Sequence, residues 1–349
     1  MHSPTVTNVM TVGGMIGSGA HGGGMKAGSF PDWVAEFTFV RADGEVVTLR
    51  RDDPSHADDI KAAQVALGTL GLLYSVTIQC APAYNVSSID YHVPVQQAID
   101  EIPERVGRCD FVEYFWFPTT ATMWIKETSA TTAQPDVSWF KRRWWAFEDL
   151  CREKLFGPPA LGFVAGHAPR LTPLMMKFAL LITPPRRAVE SANYALHYEN
   201  YYPKCFDLEI AIPLEHAQDA WRLIVDEITD EAAHGRYPVN LIAHSRFLNG
   251  SDSYLSATRN RDSCYIEILC HGATRDFQPF FQRMEQLIRS RFDGLPHWGK
   301  LYWETGDLKD AYGADMDAFL QVRERWDPER LFLNDFLADE VFQLMPPSS

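Results

Sequence analysis

The sequence has few positive charges, no paired-cysteine motif and no long apolar run. Its 349 residues carry 32 Lys and Arg against 46 Asp and Glu, a formal net charge of −14. A chain this acidic repels phosphate backbones, which argues against a nucleic-acid partner. The one short basic cluster, Lys141-Arg142-Arg143, runs straight into Trp144-Trp145. Six cysteines are present, yet none form a CxxC pair and no Cys/His group has zinc spacing, so no metal site is expected. Unpaired thiols in a chain of this size point to a reducing, intracellular compartment. No apolar run approaches the length of a membrane-spanning helix, about 18–20 residues. The nearest approach is Leu155–Pro169, uncharged but broken by Gly and Pro, followed by Leu174–Ile182. It reads as a surface-seeking or a helix-packing segment; its shortness favours ordinary packing and leaves peripheral membrane association as the lesser reading. Residues 1–30 lack the basic-then-apolar pattern of a secretory signal. The P-loop pattern, a serine nucleophile elbow and internal repeats are also absent.

What the sequence does have is glycine in one place. Val12–Gly24 holds seven glycines in thirteen residues, with His21 among them. Such a density lets backbone approach a ligand closely, and its N–H groups can converge on phosphate oxygens. A dinucleotide loop normally follows a strand within a βαβ unit. Only eleven residues precede this one, so it belongs late in a cofactor domain or serves another purpose. Aromatic residues reach 13%, with ten Trp, which implies a sizeable core.

The pattern of elements is that of an α+β protein. Residues 33–50 alternate apolar and polar about Asp43-Gly44 and predict a hairpin. A helix over 56–68 leads to a strand over 72–79, and Pro82 closes this region. Beyond it, strands are predicted at 111–117, 122–125, 206–212, 239–247, 264–269 and 297–303. Helices are predicted at 214–233, 274–291 and 316–325, and a Thr/Ser/Ala-rich loop at 128–140. The arrangement implies an antiparallel sheet flanked by helices.

Four clusters could carry chemistry. The glycine segment is the first. Leu67-Gly-Thr-Leu-Gly-Leu-Leu73 is the second, readable equally as a helix C-cap and turn. His244 and Arg246 stand two apart on one strand face, either facing solvent or forming a site. His297-Trp-Gly-Lys300 brings an imidazole and a cation together, either on an edge strand or at a pocket where Lys300 stabilises negative charge. Glu209 and Glu267 sit within apolar strands, as satisfied carboxylates or as a general base.

Taken together, these pieces resemble the aldonolactone oxidases, the L-gulono-1,4-lactone and D-arabinono-1,4-lactone oxidase group of the vanillyl-alcohol oxidase class. The resemblance rests on Gly13-Gly-Met-Ile-Gly-Ser-Gly-Ala-His-Gly22, Arg41-Ala-Asp-Gly-Glu-Val-Val47, Leu67–Leu73 and Val76–Cys80. It continues through Glu113–Pro118, Ala211–Pro213, Arg261–Ile266, Pro296–Lys300 and Asp327–Asn334. The resemblance implies part of an FAD-binding domain over residues 1–84. Residues 85–349 would then form a cap domain with an antiparallel sheet, the last fifty or so returning toward the FAD domain. It implies FAD as cofactor, and oxidation of a sugar-1,4-lactone or related polyol by hydride transfer to flavin. Oxygen or another acceptor would then take the electrons. By this resemblance Gly14, Gly17, Ser18, Gly19, His21, Gly22, Gly71, Leu72 and His297 contact FAD. Arg246 and Lys300 face substrate and flavin, with His244 as base or orienter.

Two departures from the family pattern stand out. The matching motifs begin after the family's upstream FAD subdomain, which carries most pyrophosphate contacts and often a flavin-bonded histidine. A complementing FAD subdomain is therefore an expected partner. The alternative is a cofactor-free descendant or split-assembly subunit acting as a binding protein. The family's Glu-x-Arg motif also falls on His244-Ser245-Arg246, placing an imidazole where a carboxylate is usual. That departure fits a changed substrate, a histidine base, or a protein no longer under selection for turnover.

Overall fold

A computed structural model describes residues 10–196 and 204–344. Two antiparallel sheets organise it. The smaller runs β2-β1-β3, from β1 (Val34–Val40), β2 (Val46–Arg50) and β3 (Leu72–Ile78). The expected hairpin is there: Gly44 takes φ +85°, and Arg41 N donates to Glu45 O at 2.9 Å. Gly71, at φ +139°, lets β3 start hard against β1, because a Cβ there would lie 2.7 Å from Val40 O.

The larger sheet uses β4 (Asn85–Pro94), β5 (Phe111–Trp116), β6 (Thr122–Thr131), β7 (Arg187–Ser191), β8 (Cys205–Pro213), β9 (Ala243–Leu248), β10 (Ser263–His271) and β11 (Leu295–Pro296). Their order is β11-β8-β10-β9-β5-β6-β4-β7, each pair antiparallel. Side chains alternate between faces with period two, so each strand presents two different rows. One face is apolar: Ile210, Ile212, Ile266, Ile268, Tyr114 and Trp116 pack in one core with two helices. These are Ala217–Ala233, which buries Ala220, Trp221, Ile224 and Ile228, and Gln278–Phe292, which buries Phe280, Phe281, Met284 and Ile288. Burying such side chains contributes about 1.5–3 kcal/mol each. A second core joins both ends of the chain, including Ile16, Phe37, Leu70, Tyr312, Phe319 and Phe342.

Several element boundaries differ from expectation. Strand β9 starts at Ala243 rather than 239; of the loop predicted over 128–140, residues 132–138 lie outside any element, whereas 128–131 finish β6 and 139–140 open a helix. The Thr- and Ser-rich residues fit a strand whose partner β4 supplies matching hydroxyls, as Ser88 and Thr128 show at 2.9 Å. Residues 297–303 form no regular strand: the ladder ends at Pro296, and beyond it His297 N donates to Glu209 O at 2.9 Å and Leu301 N to Asp207 O at 3.0 Å. There His297 Nδ1 accepts from Gly299 N at 2.9 Å, and Lys300 N donates to His297 O at 3.0 Å. These local bonds replace a ladder with a turn. The ordinary packing expected of the apolar segment holds only in part: Val164, Ala165 and Met176 are buried, whereas Phe140, Trp144, Phe163 and Phe178 are exposed. Among the described residues no helix is long and apolar enough to cross a membrane.

Candidate active site

The other face of the large sheet carries charge in place of apolar side chains. Cross-strand partners share a face, and the register lines them up in two adjacent rows. One row reads Glu209 on β8, Glu267 on β10, His244 on β9 and Phe115 on β5. The next reads Ala211, Tyr265, Arg246, Glu113 and Lys126 on β6. Despite their polarity these side chains are buried: Glu209 is 1% exposed, His244 4% and Arg246 6%. Burying charge is costly unless it is paired, and nearly all of it here is paired.

The glycine segment and the 297–300 turn close over these rows. Val12–Gly17 forms a short helix with its first residues exposed, capped by Thr11 Oγ1 accepting from Gly14 N at 3.2 Å. Gly14 is exposed, and its carbonyl accepts from Ser18 Oγ at 2.9 Å. Gly17 O accepts from Leu67 N at 3.1 Å, and Gly19 lies against Val65. Ser18 faces the 297–300 turn, since a Cβ at Gly299 would meet its Oγ at 3.4 Å. The later glycines run along β9. Gly24 N donates to Phe247 O at 2.8 Å, and a Cβ at Gly24, φ +113°, would meet the Phe111 ring at 2.7 Å. This close approach delivers His21 and Gly22 into the buried rows. Gly71 and Leu72 lie instead at the start of β3, where Leu72 is exposed.

His21 stacks on Tyr265, ring centroids 3.7 Å apart, and is tilted against His297 at 5.3 Å. Its Nδ1 pairs with Gly22 O at 2.9 Å. Its Nε2 comes within 3.2 Å of Glu209 Oε1 without completing a hydrogen bond. Arg246 Nη2 donates to the same Glu209 oxygen at 2.8 Å. Lys300 Nζ donates to Glu267 Oε1 at 2.7 Å, contacts Asp207, and lies 3.6 Å from Glu209. His244 is stacked on Phe115 at 4.3 Å; its Nδ1 meets Glu267 Oε2 at 3.1 Å, and its Nε2 lies 3.6 Å from Glu113.

These surroundings set protonation. Burial pulls His297 down to about 3 and also lowers His21, so both rings are neutral at pH 7. Burial works against a charged His244 too, but its contacts with Glu113 and Glu267 outweigh it and raise its pKa. Glu113 is the converse: burial would raise it, yet His244, Lys126 and Arg246 hold it at about 2. Asp207 and Glu267 compete for Lys300. Burial and the Glu267 charge push Asp207 up, while Lys300 and His244 overcome burial and hold Glu267 low.

The structure thus brings Arg246, Lys300, His244, His21, Gly22 and His297 into one buried cluster, with Ser18 at its edge. Gly14 reaches it through Ser18, whereas Gly71 and Leu72 lie at the start of β3. Sequence reasoning gave no role to Asp207, Glu113 or Tyr265, and left Glu209 and Glu267 undecided. The signal was alternation: Asp207/Glu209, Tyr265/Glu267 and Glu113/Phe115 each repeat at two residues, in phase with His244/Arg246 once the strands pair. Register, which decides that phase, is a tertiary property. His21, Glu209 and His297 also place three potential metal ligands within 4.8 Å of one another. Arg246 and Lys300 crowd the same carboxylate and would repel a dication. A separate cavity of about 450 Å³, lined by Met25, Ile102, Val106, Arg108 and Leu214, contains none of these residues.

The donor set fits the ring end of a flavin, a flat polar group rich in acceptors. A buried Arg246, a half-buried Lys300, a tyrosine and two neutral imidazoles converge. His21 Nε2, His244 Nε2 and Glu209 Oε2 are buried with no hydrogen-bond partner in the protein, and such atoms call for a bound group. Backbone at Gly23 passes 3.9 Å, measured from an ideal Cβ, from the Arg246 side chain, leaving no side chain between loop and site.

Fold and sequence relatives together make this an FAD-linked oxidoreductase. Cholesterol oxidase from Brevibacterium sterolicum superposes with a TM-score of 0.79 over 98% of this chain and 76% of that one, at 19% identity. Residues 76–340 match the D-arabinono-1,4-lactone oxidase family, and the chain belongs to that family. It is 29% identical over 337 residues to L-gulono-1,4-lactone dehydrogenase of Mycobacterium tuberculosis, covering 93% of this chain and 72% of the relative. It is 28% identical over 354 residues to L-gulonolactone oxidase of Mus musculus, covering 95% and 74%.

Proposed function

We propose that this chain oxidises a sugar-1,4-lactone or related polyol at a carbon bearing a hydroxyl, with electrons passing on to oxygen or another acceptor. The observation that carries this reading is the buried charged face, where Arg246 and Lys300 stand among four carboxylates. FAD, when bound, supplies the two-electron acceptor. Arg246, Lys300, His21 and His297 would hold its polar ring edge, and Gly22 would pack beside it. The hydroxyl proton would pass to the neutral His21 through Nε2, which has no hydrogen-bond partner, as the hydride leaves the carbon for the flavin, and Arg246 and Lys300 would stabilise the negative charge developing on the oxygen. His244, held toward its charged form by Glu113 and Glu267, donates a hydrogen bond and orients the substrate hydroxyl. Glu267 restores, one strand away, the carboxylate that His244 displaces from the motif. Enclosure between the sheet and the glycine segment excludes water, which strengthens each of these interactions.

The reading as a cofactor-free binding protein is not favoured, because the relatives named above are an oxidase and a dehydrogenase. A complementing FAD subdomain belongs to the same proposal as a partner. The six free cysteines support a reducing compartment. Titrating the purified chain with FAD tests the reading: the flavin absorption band should shift and its fluorescence should quench. Free-flavin spectra throughout would remove independent cofactor binding.

A further inference from the structure

His21 rides on a glycine-rich segment, and backbone so poor in side chains is held in place from outside. His21 and Ser29 form an antiparallel bridge, and Phe30 N donates to Ala20 O at 2.9 Å, so the segment folds back on itself beside the imidazole. Ser29 is in turn held by Asp32, whose Oδ2 accepts from Ser29 N and from Ser29 Oγ, both at 2.7 Å. That much is a capping box at the start of the Phe30–Trp33 turn.

The other oxygen of Asp32 has no part in the box. Its Oδ1 accepts from Ser251 Oγ at 2.6 Å and from Gln64 Nε2 at 3.1 Å. Gln64 closes the Ala57–Ala63 helix, and Ser251 lies in the loop between β9 and β10. Those two strands carry His244, Arg246, Tyr265 and Glu267. One carboxylate therefore ties the glycine segment to the helix beside it and to the loop that joins two site strands. Ser29, Gln64 and Ser251 are each buried, so water does not compete for these bonds. All four contacts are donated to Asp32, which suits an ionised carboxylate, an acceptor on every side. Burial raises its pKa, and the Ser251 and Ser29 bonds oppose that rise. Gly28, at φ +67°, admits the approach, since a Cβ there would lie 2.8 Å from Asp32 Oδ2. Gly28 N donates to Asn249 Oδ1 at 2.8 Å, a second tie to the same loop.

The far side of the segment shows what this clamp controls. The His21 ring lies on Tyr265 of β10, 16° from parallel. That stack persists only while the glycine segment and β10 keep their spacing, and the Asp32–Ser251 bond spans the segment and the loop that enters β10.

We propose that Asp32 is a positioning residue for His21: by binding Ser29, Gln64 and Ser251 together it holds the glycine segment against β10, so that the His21 ring stays stacked on Tyr265 with Nε2 available to the substrate hydroxyl. The inference rests on the reading of His21 as proton acceptor, but the position of the ring is measurable apart from it.

Proton NMR of the histidine rings in the purified chain without flavin tests it. Stacking on Tyr265 should shift the His21 ring protons upfield, and His21→Gln identifies them by their loss. Asp32→Asn turns an amide donor toward partners that are themselves donors, and should lose most of the upfield shift while circular dichroism stays unchanged. Ser251→Ala leaves the capping box whole and should lose part of it. Ile224→Ala, a destabilising cavity behind the sheet, should leave it in place. An unmoved His21 signal in Ser251→Ala overturns the proposal even where Asp32→Asn fails to fold, and so does an equal loss in Ile224→Ala. In the FAD-loaded protein Asp32→Asn should slow flavin reduction by lactone at least about tenfold, with the half-saturating lactone concentration unchanged. A defect confined to that concentration would overturn the positioning of a proton acceptor. A wild-type flavin band that lactone leaves intact counts against the oxidoreductase reading alone, because the ring position is read without flavin.

Discussion

Arg246 and Glu209 form a buried ion pair whose energetics separate site from scaffold. Their side chains are 7% and 1% exposed, and Nη2 meets Oε1 at 2.8 Å. At an effective dielectric near 20, unit charges this close attract by about 6 kcal/mol, and desolvation of both ions cancels much of that gain. Arg246→Met leaves a buried carboxylate with Lys300 at 3.6 Å and a neutral His21 as its remaining neighbours. The expected loss is about 3–5 kcal/mol of folding stability. Glu209→Gln strands the guanidinium and should cost a similar amount. With both changes the uncompensated charge disappears, and the double variant should recover to within about 1–2 kcal/mol of wild type. Its FAD affinity should nonetheless be lost, because Arg246 is among the groups that would hold the flavin ring edge. Urea denaturation of the four proteins measures the cycle, and flavin fluorescence measures binding. Additive single costs with no coupling would refute the pairing, and a double variant that still binds FAD would refute its role.

Other consequences follow from the same geometry. Lys300→Ala should slow reduction of bound flavin by lactone at least about tenfold, roughly 1.4 kcal/mol, and an unchanged stopped-flow rate would remove Lys300 from the chemistry. Glu113 is held at about 2 against an ordinary 4.5, so its contribution, about 3 kcal/mol, is fully present above pH 4.5 and fades as pH falls toward 2. Glu113→Gln should flatten that part of the acid-unfolding curve; an identical curve would show the contribution to be absent. His244, raised by Glu113 and Glu267, contributes below its unfolded value near 6.5 and loses that contribution as pH rises through its folded value. Glu267→Gln should lower the pH at which the His244 ring titrates by NMR, and an unmoved resonance would break the link between them. Gly71→Ala places a Cβ against Val40 O at positive φ and should cost about 1–3 kcal/mol by urea midpoint; a neutral effect would mean the β1–β3 contact adjusts freely.

Much of the fold was legible because it depends on local pattern. Asp43-Gly44 announced the hairpin, and Ala217 to Ile228 announced the helix behind the sheet. Alternation placed β1, β5, β8 and β10 within a residue or two. What failed was set by side-chain bonds invisible in a window: His297 Nδ1 capturing Gly299 N in place of a strand, and hydroxyl pairing that carries β6 through Thr131. The site was half legible. His244, Arg246, His297 and Lys300 stood out through motif resemblance. Glu209 and Glu267 looked like solitary carboxylates in apolar strands until β8 and β10 paired in register. Glu113, the anchor of His244, lay inside a recognised motif with no assigned purpose. The exposed rings of 139–182 were the reverse case, since apolar composition predicts burial and only the tertiary structure shows which face is left uncovered.

The central claim is that the charged face of the large sheet holds oxidisable substrate against FAD. Anaerobic mixing of the FAD-loaded protein with L-gulono-1,4-lactone or D-arabinono-1,4-lactone, followed at the flavin absorption band, tests it most directly. The account predicts bleaching with wild type by at least one of the two lactones, and none with Arg246→Ala. A flavin band that stays intact with both lactones in the loaded wild-type protein, or that bleaches as fast in Arg246→Ala, would contradict it.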